Sequence, residues 1–336
     1  MLNPAARVQQ ILDRRGEVQN RDVAHALRVS PATAQRLLQA LVVGGSLQRI
    51  GRGPATRYRL RTVRRRFNLK KLDEHRVWDQ IGTDIARIRP LPPDVAPNLA
   101  YAATEILNNA VDHSCGRRVD VTVAFERGGI TVTEVSDDGV GVFRRVCEDF
   151  GFPTPQEAIV QLEKGRLTSD PARHSGEGLF FSSKAVTRFR IESQGVAWIV
   201  DNQVGDSGIA PSDVRRGTRV RLETIPGHMP RLEELFASYT DPDSLRFTRT
   251  RSTIRLVTLG RVLVSRSEAK RSLARLDDFR HVALDFSGVE VVGQGFCDEI
   301  FRVFARAHPD VTLEPVGMND TVAFMVARAQ AAAATP

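Results

Sequence analysis

The sequence predicts an α+β chain of more than one domain, and three observations carry that expectation. Its 336 residues exceed the usual size of a single domain, and a hydrophobic fraction of 41% is enough for packed cores. Apolar periodicities follow one another in three different orders: helices then a hairpin, a polar-striped helix then alternating strands, and finally strands and helices in strict alternation. Charge is segregated as well. Residues 1–72 hold sixteen Lys/Arg against Asp13, Glu17 and Asp22, an excess of +13 in a chain whose total is +8, so the remainder is acidic by 5.

In the first stretch, Ala5, Val8, Ile11 and Leu12 make a short amphipathic helix closed near Gly16, and Asn20 stands as the cap of a second carrying Val23, Ala24 and Leu27. Ser30-Pro31 gives the cap and first turn of a third helix to about Val43, with Leu37, Leu38 and Leu41 inward and Thr33, Gln35, Arg36 and Gln39 outward. Gly44-Gly45 stops it, and residues 47–50 and 56–60 read as strands around Gly51-Arg52-Gly53-Pro54. This order resembles a winged helix-turn-helix. The resemblance is by pattern and implies double-stranded DNA as partner, with the third helix in the major groove and the wing on phosphate. Thr33, Gln35, Arg36, Gln39, Arg52 and Arg57 are then the DNA-binding candidates. The alternative is a domain for protein contacts. Eight arginines between Arg49 and Arg66, with no acid among them, favour phosphate.

Residues 67–98 read as a helical connector, with a helix over about 72–88 and the breaker Arg89-Pro90-Leu91-Pro92-Pro93. His75 has the look of a phospho-accepting histidine, but only about thirty residues and a proline break separate it from Asn109, too few for the second helix of a dimerisation hairpin.

The middle stretch organises the chain. Over residues 98–113 a helix places Glu105, Asn109 and Asp112 on one face and Leu99, Ala103, Ile106, Leu107 and Ala110 on the other. Alternating runs on either side of Arg127-Gly128-Gly129 predict an antiparallel hairpin that ends in Asp137-Asp138-Gly139-Val140-Gly141. A nucleoside triphosphate requires an oxygen ligand for a metal, a carboxylate to position water and backbone donors for the anionic oxygens, and this stretch has them.

Glu105 and Asn109, then Asp137, Gly139 and Gly141, then Ser175-Gly176-Glu177-Gly178-Leu179, then Gly217-Thr218 resemble, in order and spacing, the ATP-binding domain shared by gyrase, MutL, histidine kinases and anti-sigma kinases. That resemblance to the GHKL family implies an α/β sandwich of Bergerat type, with ATP and Mg²⁺ as cofactors. It implies that Glu105 orients the attacking water as general base and that Asn109 ligates Mg²⁺. Asp137 would accept from the adenine amino group, Gly139 and Gly141 approach the nucleotide by backbone, and Ser175, Gly176, Gly178, Leu179 and Thr218 complete the pocket. The mixed stretch 143–174, with one helical patch over about 156–163, would be the ATP lid. Lys164, Arg166, Arg173 and Lys184 are the cations that could reach phosphate there, each more simply read as solvated surface. Strands over about 188–193, 197–202 and 218–223 complete the sheet.

A second linker covers 227–250. Beyond it strands and helices alternate, and Asp285-Phe286-Ser287-Gly288-Val289 followed by Gly293-Gln294-Gly295-Phe296 resembles a STAS domain, the fold of anti-anti-sigma factors. One departure matters. The Ser or Thr phosphorylated at this helix start in that family is replaced by Gly293-Gln294-Gly295, so the module is expected to dock or sense, with Phe296 as an anchor or, more simply, a core residue.

The expected fold class is therefore α+β multidomain: a winged helix-turn-helix over 1–66, the linker 67–98, the ATP-binding domain over 99–226, the linker 227–250 and a STAS-like α/β domain over 251–332. No run of about eighteen apolar residues and no leader pattern is present, so a cytoplasmic site is expected. Cys115, Cys147 and Cys297 are odd in number and far apart, as reduced thiols would be. The leading reading is an ATP- and DNA-binding regulator with weak ATPase activity and a protein partner at the STAS-like module; a homodimer is left open. The alternatives are an anti-sigma-type serine or histidine protein kinase and a MutL-like ATP-driven DNA clamp.

Overall fold

The computed structural model describes residues 4–165, 176–239, 251–274, 276 and 279–334. The chain divides into two units, one built from residues 1–145 and 181–232 and the other from 146–180 and 233–336.

The first unit opens with α1 (Pro4–Arg15), α2 (Asn20–Leu27) and α3 (Pro31–Val43), then the antiparallel hairpin β1 (Leu47–Ile50) and β2 (Arg57–Leu60) in the register Leu47↔Leu60. Val8, Leu12, Val23, Leu27, Ala34, Leu38 and Tyr58 are its buried centre. The Ser30 hydroxyl accepts from Thr33 N at 3.2 Å with Pro31 in the first turn, as the sequence implied. Two details differ. Ala34 and Leu38 carry the core contact of α3, whereas Leu37 and Leu41 are half-buried. Gln19, not Asn20, precedes α2, because Asp22 accepts from Gln19 N at 2.8 Å and leaves Asn20 to donate to Pro31 O at 3.1 Å.

Two residues after β2 the chain enters β3 (Val63–Asn68), an edge strand of a seven-stranded antiparallel sheet of order β3-β4-β5-β9-β6-β7-β8. The partners are β4 (Arg118–Phe125), β5 (Thr131–Asp137), β6 (Arg188–Ser193), β7 (Val196–Asp201), β8 (Asp206–Pro211) and β9 (Arg219–Thr224). The sequence boundary at residue 66 thus falls inside a strand. Val63 and Phe67 stand opposite Val123 and Val119, an alternation that pairs β3 with the sheet. α4 (Glu74–Ile88) packs on β3 and on α5 (Ala96–His113), and α5 lies on the central strands β5 and β9. At the far end of α4, Arg89 is buried and donates to Asp13 of α1 at 2.7 Å, while burial outweighs that cation and raises the Asp13 pKa.

The helices α6 (Val142–Phe150) and α8 (Gly178–Ala185) have residues in both units, as does α9 (Leu232–Ala237) by its first residue. The sequence predicts a helical patch only over about 156–163 in the stretch 143–174, and α6 is an addition to it.

The second unit contains α7 (Pro155–Lys164), α9 (Leu232–Ala237), a parallel sheet of β10 (Arg251–Arg255), β12 (His281–Asp285) and β14 (Thr312–Val316), and a parallel pair of β11 (Val262–Leu263) and β13 (Val291–Val292). Around the sheet are α10 (Arg266–Leu273), α11 (Gln294–Asp298), a π-helical segment Glu299–Phe304 continuing into α12 (Ala305–Ala307), and α13 (Asp320–Ala334). This is the alternating α/β order expected. Phe296 is fully buried, so it is a core residue and not an anchor for a partner.

One helix was not expected in this company. Val160 of α7 belongs to the same core as Ile254, Leu256, Leu273 and Phe286. Lys164, read from sequence as surface or a phosphate ligand, is 3% exposed, and its ammonium donates to Ser272 O at 2.6 Å, Ala274 O at 3.0 Å and Gln161 Oε1 at 3.3 Å. It caps the carbonyl end of α10, where both the orphan acceptors and the helix dipole favour a cation.

Candidate functional site

α5 is laid out as its periodicity requires. Leu99, Ala103, Ile106, Leu107 and Ala110 are buried, Glu105 and Asn109 are half-buried, and Asp112 is exposed. Asn98 fixes the start of the helix by donating to Ala185 O and Pro230 O, both at 2.8 Å. At its other end Ser114 O accepts from Val140 N at 2.8 Å, which ties the helix to the turn after β5.

That turn joins the second group of site residues. Asp137 N donates to Thr218 O at 2.9 Å, and Asp137 Oδ1 accepts from Gly139 N at 2.8 Å. Gly217 N donates to Gly139 O at 3.1 Å, and Thr218 Oγ1 accepts from Val142 N at 3.0 Å, at the start of α6. Asp137, Gly139, Gly217 and Thr218 are therefore one hydrogen-bonded assembly, although Thr218 lies about eighty residues further on in sequence, and Gly141 is packed against it, a Cβ there striking Ser193 Oγ. A Cβ on Gly139 would strike the carbonyl oxygen of Ser114. The need for glycine there comes from the end of α5 itself.

The two adjacent acids are tuned in opposite directions. Burial raises the Asp137 pKa against the hydrogen bonds from Gly139 and Thr218. Asp138 is lowered, chiefly by the N–H groups of Arg118 and Arg117, which reach its Oδ1 at 2.9 and 2.7 Å. Asp138 is thus committed to the protein, while Asp137 is a partly buried carboxyl for which a further donor would be favourable.

Gly176 adopts φ 74° and Gly178 opens α8, with Leu179 half-buried; Ser175 lies outside the described residues, as do Arg166 and Arg173. Among the described residues no three His, Cys, Asp or Glu side chains cluster as a metal site. The three cysteines are free, and burial pushes Cys297 up to about 11. No helix among the described residues is long and apolar enough to cross a membrane.

In the N-terminal region Thr33, Gln35, Arg36, Gln39, Arg52 and Arg57 are all exposed. They are not equivalent. Gln35 Nε2 donates to the Tyr58 hydroxyl at 3.1 Å, Arg57 is paired with Glu17, and Thr33 shares its hydroxyl with Ser30 at 3.0 Å. Arg36 and Gln39 stand on the outer face of α3, and Arg52 lies in the loop of the hairpin.

With this geometry in view, residues 70–200 match the family model "Histidine kinase-like ATPase domain", and residues 268–323 match "STAS-like domain of unknown function (DUF4325)". Glu105, Asn109, Asp137, Gly139, Gly141, Gly176 and Gly178 fall within the first match, and Thr218 beyond it. No curated protein matches the chain. Among solved structures, a transcriptional regulator from Rhodococcus sp. RHA1 is 18% identical over 70% of this chain and 91% of its own, with a TM-score of 0.17. An IcIR transcriptional regulator from Alicyclobacillus acidocaldarius is 17% identical over 68% and 88%, with a TM-score of 0.19. Likeness at these scores carries no argument about fold or function.

Proposed function

From a chain that carries a histidine kinase-like ATPase domain and a STAS-like domain, we propose a regulator that binds Mg-ATP in the first and duplex DNA through residues 1–66, a winged helix-turn-helix. The observation that carries the ATP reading is the assembly of Asp137, Gly139, Gly217 and Thr218 tied through Val140 and Ser114 to the helix bearing Glu105 and Asn109. Asp137 fits an adenine amino group because its carboxyl is drawn out of water and gains from a donor. Asn109 fits Mg²⁺, which is commonly held by one or two protein oxygens and completes its shell with phosphate and water. Bound there, Mg²⁺ would neutralise charge on the phosphates. Glu105 orients and deprotonates the attacking water, and half-burial on a rigid helix keeps its carboxylate on one face.

The DNA reading rests on the exposed Arg36, Gln39 and Arg52 and on the +13 of the first 72 residues. A nucleotide can control that region only by binding two conformations of the chain unequally. The STAS-like domain acts as a docking or sensing module without phosphorylation. The sequence Gly293-Gln294-Gly295 offers no hydroxyl at this helix start, and at Gly293 a Cβ would come within 2.8 Å of the Val264 backbone, which favours glycine at that one position.

Incubation with γ-labelled ATP and Mg²⁺ tests the nucleotide part of this reading. Free phosphate and unlabelled protein are expected. Stoichiometric label on the chain, mapped to exposed Ser287, would replace the regulator by a kinase.

A further inference from the structure

Of the eight arginines between Arg49 and Arg66, the structure separates those already neutralised from those that are not. Arg57 pairs with Glu17, and Arg66 grips Asp120 through Nε at 2.6 Å and Nη2 at 2.9 Å. Arg65 Nε donates to Asp84 Oδ2 at 2.7 Å. Arg59, Arg61 and Arg64 are exposed and, among the described residues, pair with no carboxylate.

These three do not point to scattered places. With Arg65 and Arg87 they line one groove of about 610 Å³ between the base of the hairpin and α4, five guanidinium groups around the single carboxylate of Asp84. Asp84 is already spent. Arg65 bonds it, Arg87 Nη1 lies 3.6 Å from it, and its pKa is lowered by Arg65 first, then by Arg87 and Arg61. The walls are held together as well: Arg61 N donates to Ser46 O at 3.0 Å, and Ser46 Oγ donates to Arg87 O at 3.0 Å. Like charges kept this close in a concave site repel one another until an anion enters.

We propose that this groove is a phosphate site, with guanidinium forks from Arg59, Arg61 and Arg64 as ligands, and that it takes backbone phosphates of duplex DNA flanking the segment met by α3. The assignment rests on the DNA-binding reading above and extends it to α4, which belongs to the helix layer over the seven-stranded sheet. Arginine suits this role because its planar donors match phosphate oxygens in pairs. The lining contains no aromatic side chain on which a base could stack, so the groove reads phosphate and not nucleobase. Gly44 and Gly45 at the end of α3 form part of the rim, which places the site at the opposite end of that helix from Ser30 and Thr33.

The test uses the full chain and the double variant Arg61→Gln/Arg64→Gln, both positions exposed so that folding is retained, with the melting temperature as check. Duplex DNA affinity is measured against salt concentration, and tripolyphosphate is titrated separately. The salt slope should become shallower by about 2, since each lost phosphate contact removes roughly 0.9. Tripolyphosphate should bind at least tenfold more weakly, or with one equivalent fewer; any equivalent taken by the nucleotide site is common to both proteins. Weaker tripolyphosphate binding with an unchanged DNA slope would assign the groove to a free phosphate ligand and overturn the backbone assignment. Both quantities unchanged would overturn the site altogether. A wild-type chain that binds no duplex at low salt contradicts the DNA reading itself, a result seen without the variant.

Discussion

Two helices within the ATPase match use their polar residues in opposite ways. α5 buries its apolar face on β5 and β9 and leaves Glu105, Asn109 and Asp112 on the other side. α7 buries polar residues: Glu157 is 9% exposed, Gln161 3% and Lys164 3%, alongside Val160. Gln161 Nε2 donates to Arg271 O at 3.0 Å, and Arg271 Nε lies 2.9 Å from Glu157 Oε2 at an angle short of a hydrogen bond. A polar row at helical spacing therefore faces away from the core on one helix and forms a buried seam within one unit on the other. What separates them is whether a neighbouring chain segment supplies acceptors, as the end of α10 does for Lys164.

The comparison makes a chemical prediction on α5 that should be the largest effect. Glu105→Ala should lower ATP turnover by roughly 10²- to 10⁴-fold while leaving nucleotide affinity and thermal stability nearly unchanged. Turnover at the wild-type rate, measured by phosphate release, would place Glu105 with the ordinary surface carboxylates.

On α7 the prediction is one of stability. Lys164→Met keeps the aliphatic stem but leaves the Ser272 and Ala274 carbonyls without their cation, at a cost of roughly 2 to 3 kcal/mol. Asn109→Ala, the contrasting change on α5, should cost less than about 0.5 kcal/mol. Denaturant unfolding of the two variants decides it: equal losses would erase the distinction between the helices.

A finer probe is the cycle of Glu157→Gln and Arg271→Gln. Arg271 is 38% exposed, so solvent screening limits their coupling to about 1 kcal/mol or less. A coupling well above that would mean the charge pair, and not Lys164, holds α7 in place.

The smallest effect concerns pH. Because burial raises the Asp137 pKa, its contribution to stability is complete below the unfolded carboxylate pKa and is lost as pH rises through the folded value. Asp137→Asn should remove that loss and melt slightly higher than wild type at neutral pH, while ATP affinity falls because an amide can present a donor toward the adenine amino group. Thermal melts from pH 3 to 8 that fall in parallel for the two proteins would show that Asp137 is not desolvated, and calorimetry with unchanged ATP affinity would remove it from the site.

By itself the sequence determined what is local. Ser30-Pro31 and Gly44 bound α3, the apolar period of Leu99 to Ala110 fixed the buried face of α5, and the alternation on either side of Arg127-Gly128-Gly129 built the β4/β5 hairpin. The polar face of α5 and the turn 137–141, which carry the candidate site residues, were legible for the same reason, since a helix period or a turn is written within a few neighbouring residues. Tertiary structure alone decided the rest. It placed β3 in the sheet, added β8 at the other edge, bound Gln35 to Tyr58, and sorted the arginines into paired and unpaired. It also buried Lys164, whose partners at Ser272 and Ala274 lie more than one hundred residues away. The charge of a lysine argues for solvent until acceptors are brought to it, and bringing them is a property of the fold and not of its neighbours in sequence.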